Sequence, residues 1–172
     1  MKKQILLIGL VILGACGDLV PSTLWAVNRL DPLTTDPADI AVQLVLPDSV
    51  AVARDSGKLT FSARKVDGET LVSNFALTQV GDVFFVSPDQ HADLRALQAK
   101  IREWKDVDPN GTRGSLSVTY IPCKTGPTVP AGLRATVRIR LELDGPFLTL
   151  IDDGPIDAVL EKASLKDIVS CA

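Results

Sequence analysis

Apolar and polar residues alternate with a period of two over much of the chain between residues 40 and 151. Alternation of this kind predicts β-strands that bury one face and expose the other. The predicted strands are Ile40–Leu46, Leu59–Arg64, Thr70–Val80, Val83–Val86, Ser115–Tyr120, Arg134–Asp144 and Phe147–Ile151. Since nearly every strand has one polar face, we expect antiparallel pairing with one face of the sheet covered.

The apolar period changes to three and four residues after Pro88. A single apolar stripe then predicts a helix that packs on the sheet, through Leu94, Leu97, Ile101 and Trp104. Ser87 suits its N-cap, and Asp108-Pro109 ends it. Helical spacing returns over Pro155–Ser170. The pattern therefore predicts an α+β fold, with about six to seven antiparallel strands, one long packed helix and a C-terminal helix. A β-sandwich with an inserted helix is the alternative.

The first sixteen residues have a different character. Lys2 and Lys3 precede an apolar run from Ile5 to Leu13, and small residues follow it. A positive start, a short apolar run and small residues are typical of a secretory signal. The eleven residues from Ile5 to Ala15 reach about 16 Å as a helix, whereas a bilayer core is about 30 Å thick. A permanent transmembrane anchor is therefore disfavoured.

The run ends in Leu13-Gly14-Ala15-Cys16, which resembles the lipobox of bacterial lipoproteins. The resemblance covers only these first residues. It implies that the Cys16 thiol receives a diacylglyceryl group, that a peptidase cuts before Cys16, and that the new amino group is acylated. Gly17, in place of an aspartate, implies the outer membrane, on its periplasmic side, more than the inner one. The alternatives are an ordinary secretory signal with an incidental cysteine, or a cytosolic protein with an apolar start.

This interpretation divides the chain into a signal peptide (1–15), a lipid-anchored tether (16–37) and a single globular domain (38–172). Removing residues 1–15 takes Lys2 and Lys3 away, which leaves 16 basic residues against 21 acidic ones and a net charge of −5. An acidic protein is a poor candidate for binding nucleic acid. The membrane, through Cys16, and an envelope protein are the partners that we expect.

Two cysteines remain once Cys16 is lipidated. An even pair in an oxidising compartment predicts a disulfide between Cys123 and Cys171. Free thiols, a redox pair and metal ligation are the alternatives. Metal is disfavoured because His91 is the single histidine and no Cys-x-x-Cys spacing occurs.

Three arginines share the polar side of one predicted strand: Arg134, Arg138 and Arg140. Guanidinium groups bind carboxylates and phosphates in a bidentate manner, so this stripe is a possible docking site for an acidic partner or a lipid headgroup. The alternative is a solvated sheet face with cross-strand ion pairs.

No residue pattern indicates catalysis or a cofactor. His91 lacks an evident nucleophile and orienting carboxylate, because Ser115 and Ser117 lie on a strand without a Gly-x-Ser-x-Gly turn. Asp152, Asp153 and Asp157 do not match a calcium loop and fit a turn and a helix cap better. We therefore expect a lipid-anchored periplasmic envelope protein with a non-enzymatic binding or assembly role. An envelope hydrolase using His91 and a small-ligand carrier in the sheet concavity are the alternatives.

Overall fold

The computed structural model describes residues 32–156 and 168–171. These residues form nine strands and one α-helix, preceded by a 3-10 turn at Pro88–Gln90. The elements in chain order are β1 (Ala41–Val45), β2 (Val50–Val52), β3 (Lys58–Arg64), β4 (Thr70–Val80), β5 (Val83–Val86), α1 (His91–Val107), β6 (Arg113–Thr119), β7 (Pro122–Lys124), β8 (Arg134–Arg140) and β9 (Leu148–Pro155).

Seven of the strands form one sheet in the order β6-β3-β4-β5-β1-β8-β9, and every neighbouring pair in it is antiparallel. Short β2 and β7 pair separately as a two-stranded ribbon. The turn between β3 and β4 contains Asp67-Gly68, and Gly68 has a φ of 96°, which glycine adopts without strain. The predicted mixed fold dominated by antiparallel strands is therefore confirmed.

Helix α1 covers one face of the seven-stranded sheet. Its side chains Leu94, Ile101 and Trp104 are buried and join a single apolar cluster with residues from β1, β3, β4 and β5. The predicted apolar stripe of the helix is thus the stripe that packs. We call the sheet face under α1 the core face and the opposite one the outer face.

The described segment that precedes β1, residues 32–37, runs along the surface of α1. Gln98, which is only 2 % exposed, donates from Nε2 to the carbonyl oxygens of Pro32 and Thr35, both at 2.8 Å. Arg102 donates to the carbonyl of Leu33. The described part of the expected tether, residues 32–37, is therefore held against the helix.

The C-terminal helix predicted over Pro155–Ser170 falls largely on residues 157–167, outside the described residues. Strand β9 continues to Pro155, so Asp152 and Asp153 lie in a strand rather than in the turn that we predict. Asp153 has a φ of 46° and donates its backbone N–H to Thr136 Oγ1, next to a β-bulge in the pairing with β8. With this bulge, β9 remains paired with β8 on both sides of Asp152 and Asp153. In the described part of the chain, no helix has the length and apolar character needed to cross a bilayer.

Candidate binding face

The outer face of the sheet is the basic side of an acidic protein. The seven strands of the sheet contain six basic residues, and all six alternate with core residues so that they stand on the outer face: Lys58, Arg64, Arg113, Arg134, Arg138 and Arg140. Within these described strands, the acidic residues are Asp152 and Asp153 of β9 alone. Folding therefore separates charges that are mixed along the sequence.

The three arginines of β8 lie on this face, and two of them have polar partners. Arg134 Nε donates to Asp153 Oδ2 at 2.9 Å across the β8–β9 pair. Arg138 donates to Gln43 Oε1 at 3.0 Å, and Gln43 Nε2 in turn donates to Asp82 Oδ2 at 2.8 Å. Both ends of Arg134–Asp153 are exposed, so this ion pair contributes little, on the order of 0–1 kcal/mol.

Arg140 is held by aromatic rings instead of by an acid. Its guanidinium carbon lies 5.9 Å from the ring centre of Phe85 and 5.2 Å from that of Phe147, both within cation–π range. Ala41, the register neighbour of Phe85 and Arg140, is fully buried at 0 % exposure, so these side chains cover the sheet there. Arg140 Nε is buried and has no hydrogen-bond acceptor among the described residues.

We call the group formed by Gln43, Phe85, Arg138, Arg140 and Phe147 the arginine platform. Sequence reasoning found its two arginines and missed its other three members. Phe85 lies in Val83–Val86, where every residue is apolar, so no alternation indicates which side chains face outward. Phe147 follows a turn and belongs to no strand. Only the pairing of β5, β1 and β8 brings these side chains together.

The predicted disulfide is confirmed. Cys123 and Cys171 are bonded, with their Cα atoms 4.9 Å apart. The bond joins β7 to the C-terminal segment, and backbone hydrogen bonds support it on both sides of Lys124: Lys124 N donates to Val169 O at 2.9 Å, and Cys171 N donates to Lys124 O at 3.0 Å. The pair therefore has a structural role in holding the end of the chain.

His91 is the first residue of α1 and is half-buried. Its Nε2 lies 2.9 Å from the carbonyl oxygen of Val86, to which it can donate. Ser115 shares a 2.7 Å hydrogen bond with Ser62 and not with His91. Among the described residues, no hydrogen bond joins His91 to a nucleophile or to a carboxylate, and no group of three acidic, histidine or cysteine residues could hold a metal ion. Asp157 lies outside the described residues.

Helix α1 and the core side chains occupy most of the core face. A cleft of about 760 Å³ lies instead between the β2–β7 ribbon and the end of β4. Ala51–Asp55, Thr78, Gln79 and the disulfide line this cleft.

No protein-family model, curated protein or solved structure matches this chain.

Proposed function

We propose that this protein is a lipid-anchored periplasmic envelope protein with a non-enzymatic binding or assembly role. Acylated Cys16 holds it in the outer membrane, and the arginine platform binds an acidic segment of an envelope partner. The observation that carries the binding role is the position of Arg140, whose guanidinium lies over the rings of Phe85 and Phe147 and forms no ion pair with a described acidic residue.

A carboxylate is the ligand that suits this arrangement. A carboxylate can accept hydrogen bonds from the terminal Nη groups of Arg140, which, unlike the buried Nε, remain accessible. Arg138 is held by Gln43, and Arg140 by Phe85 and Phe147, so little side-chain entropy is lost when a ligand binds. Guanidinium forks also fit carboxylate geometry in a bidentate manner.

The membrane address rests on the first residues, all of which lie outside the described part of the chain. Lys2 and Lys3, the short apolar run and the resemblance of Leu13–Cys16 to a lipobox support it. The disulfide between Cys123 and Cys171 supports an oxidising compartment such as the periplasm, since such bonds rarely persist in the cytosol.

Partner binding is tested by gentle crosslinking in intact cells, with Arg138→Ala and Arg140→Ala combined in one variant. We expect a crosslinked envelope partner with the wild type and its loss, by tenfold or more, in the variant. The matched control is Arg64→Ala with Arg113→Ala, which removes the same charge from the same sheet face and should retain the partner. Equal loss in both variants, or no specific partner with the wild type, would contradict the platform.

The address is tested with Cys16→Ser. We expect this variant to incorporate no labelled fatty acid and to remain an uncleaved precursor, whereas the wild type is labelled and fractionates with the outer membrane. Labelled fatty acid on the variant would exclude Cys16 as the lipidation site. Fractionation of the wild type with the inner membrane would restrict the proposal to that membrane.

The non-enzymatic role is tested with His91→Ala. Because the His91 ring is engaged with the Val86 carbonyl and no described nucleophile is hydrogen-bonded to it, we expect the variant to restore a deletion strain fully. A variant that accumulates at wild-type level yet restores nothing would favour the hydrolase alternative. Native mass spectrometry of the purified wild type tests the carrier alternative, because a retained small molecule would be seen directly.

A further inference from the structure

Arg64 of β3 and Arg113 of β6 stand opposite each other as register partners on the outer face. Both side chains are exposed, and neither makes a hydrogen bond or ion pair with any described residue. Like charges directly opposite each other destabilise an antiparallel pair, and arginine stays protonated at every ordinary pH. An anion bound between the two guanidinium groups would remove this repulsion.

The neighbouring position along the same two strands adds hydroxyl groups. Ser62 Oγ and Ser115 Oγ lie 2.7 Å apart, so one hydroxyl donates to the other. The accepting hydroxyl keeps its own hydrogen free to donate to a ligand. Two guanidinium forks and one free hydroxyl donor on a flat surface match the oxygens of a phosphate group.

The acidic residues at this end of the molecule are engaged elsewhere. Glu69 pairs with Lys65, and Asp67 Oδ1 accepts the Glu69 N–H at 2.9 Å in the β3–β4 turn. Asp108 Oδ1 accepts the Gly111 N–H at 2.8 Å where α1 ends, and Asp106 precedes Val107 in the last turn of α1, off the strands that hold Arg64 and Arg113. The outer face therefore retains a local positive charge at Arg64 and Arg113.

Exposed apolar side chains lie at the same end. Val66 in the β3–β4 turn is 81 % exposed and Val107 at the end of α1 is 87 % exposed, the highest values for large hydrophobic residues in the described chain. Both line one cavity of about 430 Å³, together with Lys65, Trp104, Thr112 and the two engaged carboxylates Asp67 and Asp108. Apolar side chains beside basic ones are typical of surfaces that contact a lipid bilayer. A free phosphate ion would gain nothing from the two valines.

The described chain also begins here. Pro32 and Leu33 line a cavity of about 140 Å³ with Gly114 and Ser115. These two residues directly follow Arg113 in β6. Pro32 is sixteen residue steps after Cys16, and a fully extended chain of that length spans at most about 55 Å. An anchor at Cys16 would therefore keep this end of the domain within reach of the membrane.

We propose that Arg64 and Arg113 bind the phosphates of anionic phospholipid headgroups, with Val66 and Val107 contacting the interfacial layer. We call these four residues, with Ser62 and Ser115, the headgroup patch. The inference rests on the proposed lipid anchor for the nearness of a bilayer, but the binding itself needs no acyl chain. It orients the domain so that the β3–β6 end faces the membrane.

The experiment uses residues 16–172 with Cys16→Ser, so that no acyl chain contributes to membrane binding. Cosedimentation is measured with vesicles of phosphatidylcholine alone and of phosphatidylcholine mixed equally with phosphatidylglycerol. We expect binding to the mixed vesicles that added salt weakens. A variant with Arg64→Ala and Arg113→Ala should bind about 30-fold more weakly, since each basic residue near an anionic surface contributes about a factor of five.

Three controls make the outcome decisive. Arg138→Ala with Arg140→Ala removes equal charge from the other end of the same face and should retain most binding; equal loss there would overturn the patch in favour of a general charge effect. Val66→Ser with Val107→Ser should weaken binding to the mixed vesicles without changing its dependence on salt. Inorganic phosphate at millimolar concentration should not displace the protein, and displacement would assign the site to a free anion instead.

The stability of the variant with Arg64→Ala and Arg113→Ala gives a second readout. Because Arg64 and Arg113 repel each other, replacing both with alanine should leave the urea midpoint unchanged or raise it. A lowered midpoint would mean that the two arginines stabilise the fold, which would contradict a ligand-binding role. A wild type that binds no vesicle overturns the patch. Fatty-acid labelling of Cys16 tests the anchor separately, so the two failures are distinguishable.

Discussion

The rings of Tyr120 and Phe84 lie 4.8 Å apart between their centres, tilted at 59°, while the Tyr120 hydroxyl is buried without a hydrogen-bond partner in the described structure. A buried hydroxyl without a partner opposes folding by about 1–3 kcal/mol. We therefore expect Tyr120→Phe to raise the free energy of unfolding by roughly 1 kcal/mol, measured by urea denaturation. Tyr120→Leu, which removes the ring, should lower it. Destabilisation by Tyr120→Phe would show that the hydroxyl has a partner.

We also expect Tyr120 to make the free energy of unfolding fall at alkaline pH. Burial raises the pKa of the Tyr120 phenol well above its usual range, because the charged form would lose its hydration. The stability that comes from the neutral phenol is thus fully present below the unfolded pKa of about 10 and is lost as pH rises toward the folded value. Denaturation curves between pH 9 and about 11.5 should show wild type losing more stability than Tyr120→Phe. Identical curves would contradict this.

Reduction of the disulfide should lower the melting temperature. The bond closes a segment with a sequence separation of 48 residues, for which the chain-entropy model gives at most about 4 kcal/mol. Thermal denaturation with and without a reductant measures the effect, and Cys123→Ser with Cys171→Ser should reproduce it. In that double variant the reductant should have no further effect. Labelling of both cysteines as free thiols in unfolded, unreduced protein would refute the bond.

We expect Gln98 to hold the segment 32–35, which precedes β1, against α1. Its amide makes two hydrogen bonds of 2.8 Å to backbone carbonyl groups in an otherwise apolar helix face. Gln98→Leu should therefore lower the free energy of unfolding by about 1–3 kcal/mol, measured in urea. Gln79→Leu is the control, since the Gln79 side chain is exposed and should matter by less than about 0.5 kcal/mol. Equal effects would contradict the role of Gln98.

We expect Asp36 to account for part of the loss of stability at acidic pH. The backbone N–H of Ala38 and then the guanidinium of Arg95 lower the pKa of Asp36 below its ordinary value of 3.8. A lowered folded pKa stabilises the protein above the unfolded pKa, and this stabilisation is lost as pH falls through the folded value. Wild type should therefore lose more stability than Asp36→Asn between pH 5 and about 2, with Arg95→Gln in between. Parallel losses in all three proteins would contradict the prediction.

Several features of this protein were determined by the sequence alone, because each depends on residues that are close in the chain. Leu94, Ile101 and Trp104 recur at helical spacing, so any helix there buries them on one side. Asp67-Gly68 favours a tight turn whatever surrounds it. The pairing of Cys123 with Cys171 is the one long-range contact among these features, and it followed from their number rather than from any local pattern. The lipobox-like segment ending in Cys16 is likewise local, and it remains a prediction because it lies outside the described residues.

Other features were decided only by the tertiary structure, since they depend on segments far apart in the chain. Strand β1 lies between β5 and β8, about forty and ninety residues away in sequence, and no local pattern specifies such partners. Strands β2 and β7 have three residues each, too few for a period to be visible. Ser87, which the sequence suggests as a helix cap, instead places its hydroxyl 2.9 Å from that of Thr78 on β4.

The positions of the arginines show most clearly what the sequence predicts and what only the tertiary structure decides. Alternation along β3 and β8 predicted that Arg64 and the three arginines of β8 leave the core, because side chains on a strand point to opposite faces in turn. It could not show that Arg64 would face Arg113, or that Arg140 would lie between Phe85 and Phe147. Burial of an apolar residue is specified by its own position in a strand or helix. The neighbours of a charged group on a sheet surface are specified by strand order and register, which only the packed chain establishes.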